Sequence, residues 1–208
     1  MKASMKNQVI LNGHDLTIYD VHKIAHNFDG NITVGISTDS LQVMIKSREY
    51  VYQIVEKAAP VYGINTGFGA LSDKHIAKSD LAQLQVNLIR SHCTGVGNPF
   101  EKSITRAIMV LRANCLCSGY SGVNPEAVQL LVDFLNHDII PFVPEKGSVG
   151  ASGDLAPLSH IALCLIGEGD VFYKEQLRNS AEVLKELNLK PVTLGPKDGL
   201  ALINGTAV

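Results

Sequence analysis

The stretch Gly147-Ser148-Val149-Gly150-Ala151-Ser152-Gly153-Asp154-Leu155-Ala156-Pro157-Leu158-Ser159-His160 decides how this chain is read. Glycines at 147, 150 and 153 free the backbone, and a small Ala-Ser-Gly triplet closes the run. Asp154 is placed to cap a helix that carries Pro157 in its first turn. One reading is a glycine-rich loop that starts a helix. The other is chemical: in a tight turn the Gly153 amide nitrogen approaches the Ala151 carbonyl carbon, with no Cβ to block ring closure. Loss of water from that ring, and of the Ser152 hydroxyl, leaves an alkene conjugated to an imidazolone, an electrophile that side chains otherwise lack.

Two competing motifs fit poorly. A phosphate loop wants Lys beside Ser or Thr after its glycines, and Asp154 and Leu155 stand there instead. A nucleophile elbow needs Gly-x-Ser-x-Gly after a strand, a spacing that Gly150-Ala151-Ser152-Gly153 lacks.

Outward from that stretch the chain reads as mainly α with a few short strands. Val9 to Leu11 and Asn12-Gly13 suggest a strand and turn, and Thr17 an N-cap for a helix to about Asn27, with Ile18, Val21, Ile24 and Ala25 inward. A second helix is expected from Thr38 to Ala58, before Pro60. Ser79 is expected to cap a third, with a stripe of Leu81, Leu84 and Leu88. A fourth, Pro99 to Ser118, is expected to bury Ile104, Ile108, Leu111 and Cys115, and a fifth begins at Pro125 with Val128, Leu130, Leu131 and Leu135 apolar. Further helices are expected over Leu155 to Ile166, stopped by Gly167, and over Ala181 to Leu187; Val171 to Tyr173 reads as a hairpin arm.

The 208 residues are 46% hydrophobic and 18% charged, apolar enough to imply a large buried interface. A net charge of −2 offers no basic face, so nucleic acid is not an expected partner. No apolar run is long enough for a membrane helix and no apolar h-region follows Met1 to Gln8, so a cytoplasmic location is expected. Cys93, Cys115, Cys117 and Cys164 form no C-x-x-C pair and read as reduced, mostly buried thiols. His22 and His26 are an i, i+4 pair without a visible third ligand, so no metal is expected. The apolar run Gly199 to Val208 ends without a polar tail, and the chain reads as cut.

Three further residues stand in patterns that carry chemistry or packing equally well. Tyr62 lies in the glycine-rich loop Tyr62-Gly63-Ile64-Asn65-Thr66-Gly67-Phe68-Gly69, where glycines allow a mobile lid and a stabilised phenolate would act as a base. His92 follows Leu88 by four residues on the apolar face of its helix. Asn204, in Ile203-Asn204-Gly205-Thr206, is a turn asparagine or an amide that holds a carbonyl or amine.

Taken together, Tyr62 to Gly69, Asn87-Leu88-Ile89-Arg90-Ser91-His92, Gly147 to His160 and Gly199 to Thr206 resemble the aromatic amino acid ammonia-lyase family, over nearly the whole chain from about Ile10. The resemblance implies the N-terminal portion of the ammonia-lyase fold, a single domain over residues 1–208. It implies that Ala151, Ser152 and Gly153 cyclise to a methylidene-imidazolone (MIO) electrophile, with Asp154 assisting ring formation. Tyr62 is then the base candidate, His92 the position that selects the substrate ring and Asn204 a contact to cofactor or amine. The implied reaction is deamination of an aromatic amino acid. Ser91-His92 suits histidine and also tyrosine lyases or aminomutases, while Ala207 after Asn-Gly-Thr departs from the usual histidine-lyase pattern. Histidine is favoured, giving urocanate and ammonia. Family members are longer, homotetrameric, and complete their sites with residues absent here, so this piece alone is expected to be inactive, and a truncated fragment serving only as a structural module is the alternative reading.

Overall fold

A computed structural model describes residues 7–57, 60–69, 72, 74, 76–148 and 155–206. The elements, in chain order, are β1 (Asn7–Leu11), α1 (Ile18–Ala25), β2 (Ile32–Ile36), α2 (Thr38–Lys57), α3 (Leu81–His92), β3 (Val96–Pro99), α4 (Lys102–Cys117), α5 (Pro125–Asn136), β4 (Ile140–Pro141) and β5 (Pro144–Lys146). They continue with α6 (Leu155–Leu165), β6 (Asp170–Tyr173), β7 (Gln176–Asn179), α7 (Ser180–Glu186) and α8 (Asp198–Ile203). The mainly helical reading holds.

Local chemistry explains most boundaries. Thr17 Oγ1 accepts from the Asp20 N–H at 3.1 Å while the Asp20 carboxylate accepts from the Thr17 N–H at 3.2 Å, a capping box that starts α1. Asn124 caps α5, with Pro125 at its first position. Gly167, at φ +82°, takes the left-handed conformation just past α6.

Helix α5 is the centre of the core. Seven of its residues are buried, among them Val128, Leu131, Phe134 and Leu135, and α4 packs against it and adds Ile108, Met109, Ala113 and Leu116 to the same core. The strands pair at the periphery. β1 runs parallel to β2 with Val9 opposite Val34, β3 pairs antiparallel with β5, and β4, β6 and β7 form an antiparallel sheet.

The structure corrects several sequence expectations. Ile18 is 90% exposed, since the first residue of α1 projects beyond the core that Ile24 and Ala25 enter. Lys78–Asp80 forms a 3-10 turn ahead of α3, so Ser79 lies inside it and is no cap. In α3 the buried residues are Leu81, Gln85, Leu88 and Ile89, and Leu84 is only half-buried. β2 and β3 were not expected, because Thr33, Gly35, Gly97 and Asn98 interrupt their apolar pattern. The largest correction is in α4, which begins at Lys102 rather than Pro99. Ile108 is buried, but Ile104, Leu111 and Cys115 are exposed. The inward face is turned by about one residue, or about 100°. It buries Thr105, Arg106, Met109, Arg112 and Leu116.

Those arginines go inside because each finds helix-terminal carbonyls. Arg106 Nε donates to Ile24 O at 2.9 Å near the end of α1, and its Nη1 donates to Leu135 O at 3.2 Å in the last turn of α5 and to Asp138. Arg112 donates to Ala201 O and Leu202 O in α8. A third buried arginine, Arg48, pairs with the fully buried Asp198 at 2.9 Å and donates to Gly122 O and Pro196 O. Asp198 also accepts from the Gly195 and Asn124 N–H groups, at 2.7 and 2.8 Å. Burial pushes its carboxyl above the ordinary aspartate range, and Arg48 and the two N–H donors act against that rise.

Replacing Asp198 with Ala leaves the Arg48 guanidinium buried without its carboxylate. We expect a loss of about 3–5 kcal/mol in unfolding free energy by urea titration. Lys78→Ala, in the exposed pair with Glu56, is expected to change stability little. A loss below about 1 kcal/mol for Asp198→Ala would show that the pair does not hold this end of the fold.

Candidate functional site

Asn204 follows directly on the six-residue helix α8 and closes it, donating its backbone N–H to Leu200 O at 3.0 Å, while the residue itself is exposed. So short a helix is marginal alone. It stands because other elements hold it: Arg48 of α2 through Asp198 at its start, Arg112 of α4 at its end, and Gln85 of α3, whose Oε1 accepts from the Leu200 N–H at 3.2 Å. Gly199 packs flat on α3, where a Cβ would come within 2.7 Å of Gln85 O.

The Tyr62 loop is pressed against the same helix. Gly63 is at φ +76°, and a Cβ there would collide with Leu200 Cδ2. Asn65 closes the loop, accepting from the Val61 N–H through Oδ1 at 2.7 Å and from the Ile76 N–H through its carbonyl at 2.9 Å. Asn65 and Thr66 are buried, whereas Tyr62 is 57% exposed, its ring edge-on to Phe68 at 6.1 Å. The segment is therefore a fastened loop with its tyrosine outward.

His92 ends α3 and is half-buried. Its Nδ1 lies 2.9 Å from Leu88 O. A carbonyl can only accept, so Nδ1 carries the hydrogen and the neutral ring offers Nε2 as an acceptor. Just beyond, the Gly95 N–H donates to His160 Nε2 at 3.2 Å. A Cβ at Gly95 would stand 3.1 Å from His160 Nε2 and from Pro144 Cβ, and one at Gly147 would stand 3.2 Å from both Gly95 Cα and Ala156 Cβ. The strand leading into the 147–160 stretch, the helix leading out of it and the exit of α3 thus meet at one point. Ala151, Ser152, Gly153 and Asp154 lie outside the described residues.

The structure presses the loop of Tyr62, through Gly63, against α8, which Asn204 follows, and joins α8 to the helix of His92 through Gln85. It also sets the flanks of the Ala-Ser-Gly triplet beside the end of that helix. Sequence reading missed Gln85, Gly95, Arg112 and His160. Of these only His160 carried a signal, as the last residue of the opening stretch. Cys93 lies next to His92, and burial pushes its thiol up to about 12, so it is no nucleophile at neutral pH. Cys117 is buried and likewise pushed up to about 12, Cys164 is buried, and Cys115 is exposed. His22 and His26 stack at 4.3 Å on α1, and no group of three potential metal ligands occurs among the described residues. A groove of about 450 Å³ beside α3, lined by Ile76, Ala77, Asp80, Gln83, Leu84 and Asn87, includes none of Tyr62, His92 or Asn204.

The model of the family described as aromatic amino acid lyase matches residues 16–208, and the chain belongs to that family. It is similar to a histidine ammonia-lyase of Bacillus velezensis, 50% identical over 95% of this chain and 38% of the relative, and to one of Bacillus subtilis, 48% identical with the same coverage. Among solved structures it is similar to the ergothioneine-degrading enzyme ergothionase of Treponema denticola (TM-score 0.92, 37% identity, 97% of this chain, 40% of that one). A tyrosine aminomutase of Streptomyces globisporus gives TM-score 0.88 at 41% identity, over 96% of this chain and 37% of that one. The chain spans about two-fifths of the length of these relatives.

Burial lowers the pKa of His160 from its ordinary value near 6.5. Between the two values the unfolded chain binds a proton that the folded one refuses. Stability from this group is therefore complete above about pH 6.5 and declines as pH falls through that window. His160→Gln keeps an acceptor for Gly95 without the titration. We expect the loss of unfolding free energy between about pH 7.5 and about pH 5.5 to be smaller in the variant. Equal losses in the two proteins would remove His160 from this account.

Proposed function

We propose that this chain is the electrophile-bearing portion of an ammonia-lyase that converts L-histidine to urocanate and ammonia. The observation that carries the reading is 50% identity to a histidine ammonia-lyase along 95% of the chain, in a structure that draws the Tyr62 loop, α8 and α3 together.

Ala151, Ser152 and Gly153 are assigned to the methylidene-imidazolone, with Asp154 assisting its formation. The described flanks fit such a group: small residues at 147 and 156 allow the chain to leave and rejoin the fold at one place, against Gly95. Once formed, the ring supplies an electrophilic alkene to the substrate. Tyr62 is the base for the β-proton, its side chain turned out from a loop held by Asn65. His92 faces the substrate ring, with Nδ1 committed to Leu88 O and Nε2 open for an N–H donor. Asn204 offers its side-chain amide to the amine or to the cofactor carbonyl. No metal takes part. The protein is a cytoplasmic homotetramer of a catabolic pathway for histidine. Exposed Ile18, Tyr19, Ile104, Leu111 and Tyr120 support an assembly with further covered surface. No helix among the described residues is long and apolar enough to cross a membrane.

A second reading, tyrosine as substrate, draws on the likeness to the tyrosine aminomutase and on Ala207 after Asn204-Gly205-Thr206. A panel of L-histidine, L-tyrosine, L-phenylalanine and ergothioneine given to the full-length protein separates the two. We expect urocanate from L-histidine, and no turnover by Ser152→Ala at unchanged circular dichroism. Turnover of tyrosine without histidine would replace the first reading by the second. Turnover that survives Ser152→Ala would overturn both.

A further inference from the structure

We propose that Arg112 is a positioning residue for Asn204, acting through the carbonyls at the end of α8; the inference rests on the lyase reading above. Arg112 projects from the inward face of α4 and is 4% exposed. Its Nε donates to Leu202 O at 3.0 Å and its Nη2 to Ala201 O, the carbonyls two and three residues before Asn204. On the other side of Asn204, a Cβ at Gly205 would run into Arg112 Nη1. One planar group thus bears on the chain both before and after Asn204, whose own residue stays exposed.

Two features make guanidinium the group required. The last carbonyls of a helix have no partner within it, and in a helix of six residues they are a large share of its backbone groups. Arg112 meets two successive carbonyls with two N–H groups of one rigid fork, whereas an ammonium would meet them as a single point charge on a flexible stem. The buried charge finds compensation in the negative end of α8 itself. Among the described residues no carboxylate pairs with Arg112; Cys115 Sγ stands 4.0 Å from it, and the Lys197 ammonium is near enough to feel its charge. The Arg48–Asp198 pair fixes the start of α8, whereas Arg112 meets the carbonyls of the turn from which Asn204 emerges.

A packing role and a positioning role predict different outcomes. Misplacing a contact group by about 1 Å costs up to about 100-fold in rate. In the full-length protein we expect Arg112→Lys to lower kcat by about 10- to 100-fold with KM within about threefold. In the Asn204→Ala background the same change should cost less than about twofold, because the group it positions is gone. Losses that multiply would overturn the proposal, as would a normal kcat in a less stable Arg112→Lys protein. An arm free of turnover is amide hydrogen exchange over residues 198–206, expected to speed up in Arg112→Lys while α5 stays protected; unchanged exchange there also overturns it. Gly205→Ala, which presses a methyl on the guanidinium without removing charge, gives the same signature should Arg112→Lys not fold, and its absence counts equally against. A wild-type protein that deaminates no aromatic amino acid sinks the lyase reading alone, and the exchange arm still decides whether Arg112 holds α8.

Discussion

Three arginine side chains buried against helix ends govern this fold. Arg106 closes α1 and α5, Arg112 closes α8, and Arg48 with Asp198 fixes the start of α8. A buried guanidinium is costly unless its donors are met, and free helix-terminal carbonyls are costly for the same reason. Each defect answers the other. The gain is one of placement: α8 has too few residues to stand alone, and the residue it delivers is Asn204. Remove its partners and the backbone there has little reason to keep that path.

Helix α3 links the parts of the candidate site. Gln85 receives α8 on one turn, and the next two turns lead to His92, whose ring hydrogen is tied to Leu88 O. Three residues later Gly95 meets His160, Pro144 and Gly147. The described borders of the stretch 149–154 are therefore fixed from two sides, by a strand that pairs with β3 and by the buried start of α6. At Gly63, Gly199 and Gly205 a Cβ would strike a neighbour, and at Gly95 and Gly147 it would press on one at 3.1 to 3.2 Å. Close approach, more than freedom of motion, explains glycine in these places.

The sequence reveals the helices well where caps and stops are local. Thr17, Asn124-Pro125 and Gly167 work through neighbours three or four residues away, so their roles are legible in order along the chain. The four segments that resemble a lyase are legible too, as patterns of residue type. The orientation of α4 was not, because apolar residues lie all round that helix and nothing local marks Arg106 and Arg112 as buried. Their partners lie 82 residues away at Ile24 and about 90 away at Ala201 and Leu202. Gln85 and Gly95 were missed for the same reason, since their partners come from α8 and α6. In the loop of Tyr62 the glycines are legible, but the closing bonds of Asn65 and the contact of Gly63 with Leu200 are not.

The contacts of Gly95 with His160, Pro144 and Gly147 border the segment that carries Ala151-Ser152-Gly153, and the account stands or falls on what that segment has become. Intact-mass and peptide mass spectrometry of the native protein measure it directly. The peptide that contains Ala151-Ser152-Gly153 should be lighter than its sequence by two water molecules, and Ser152→Ala should abolish that deficit. A folded protein whose peptide carries the full mass of its sequence would contradict the central claim.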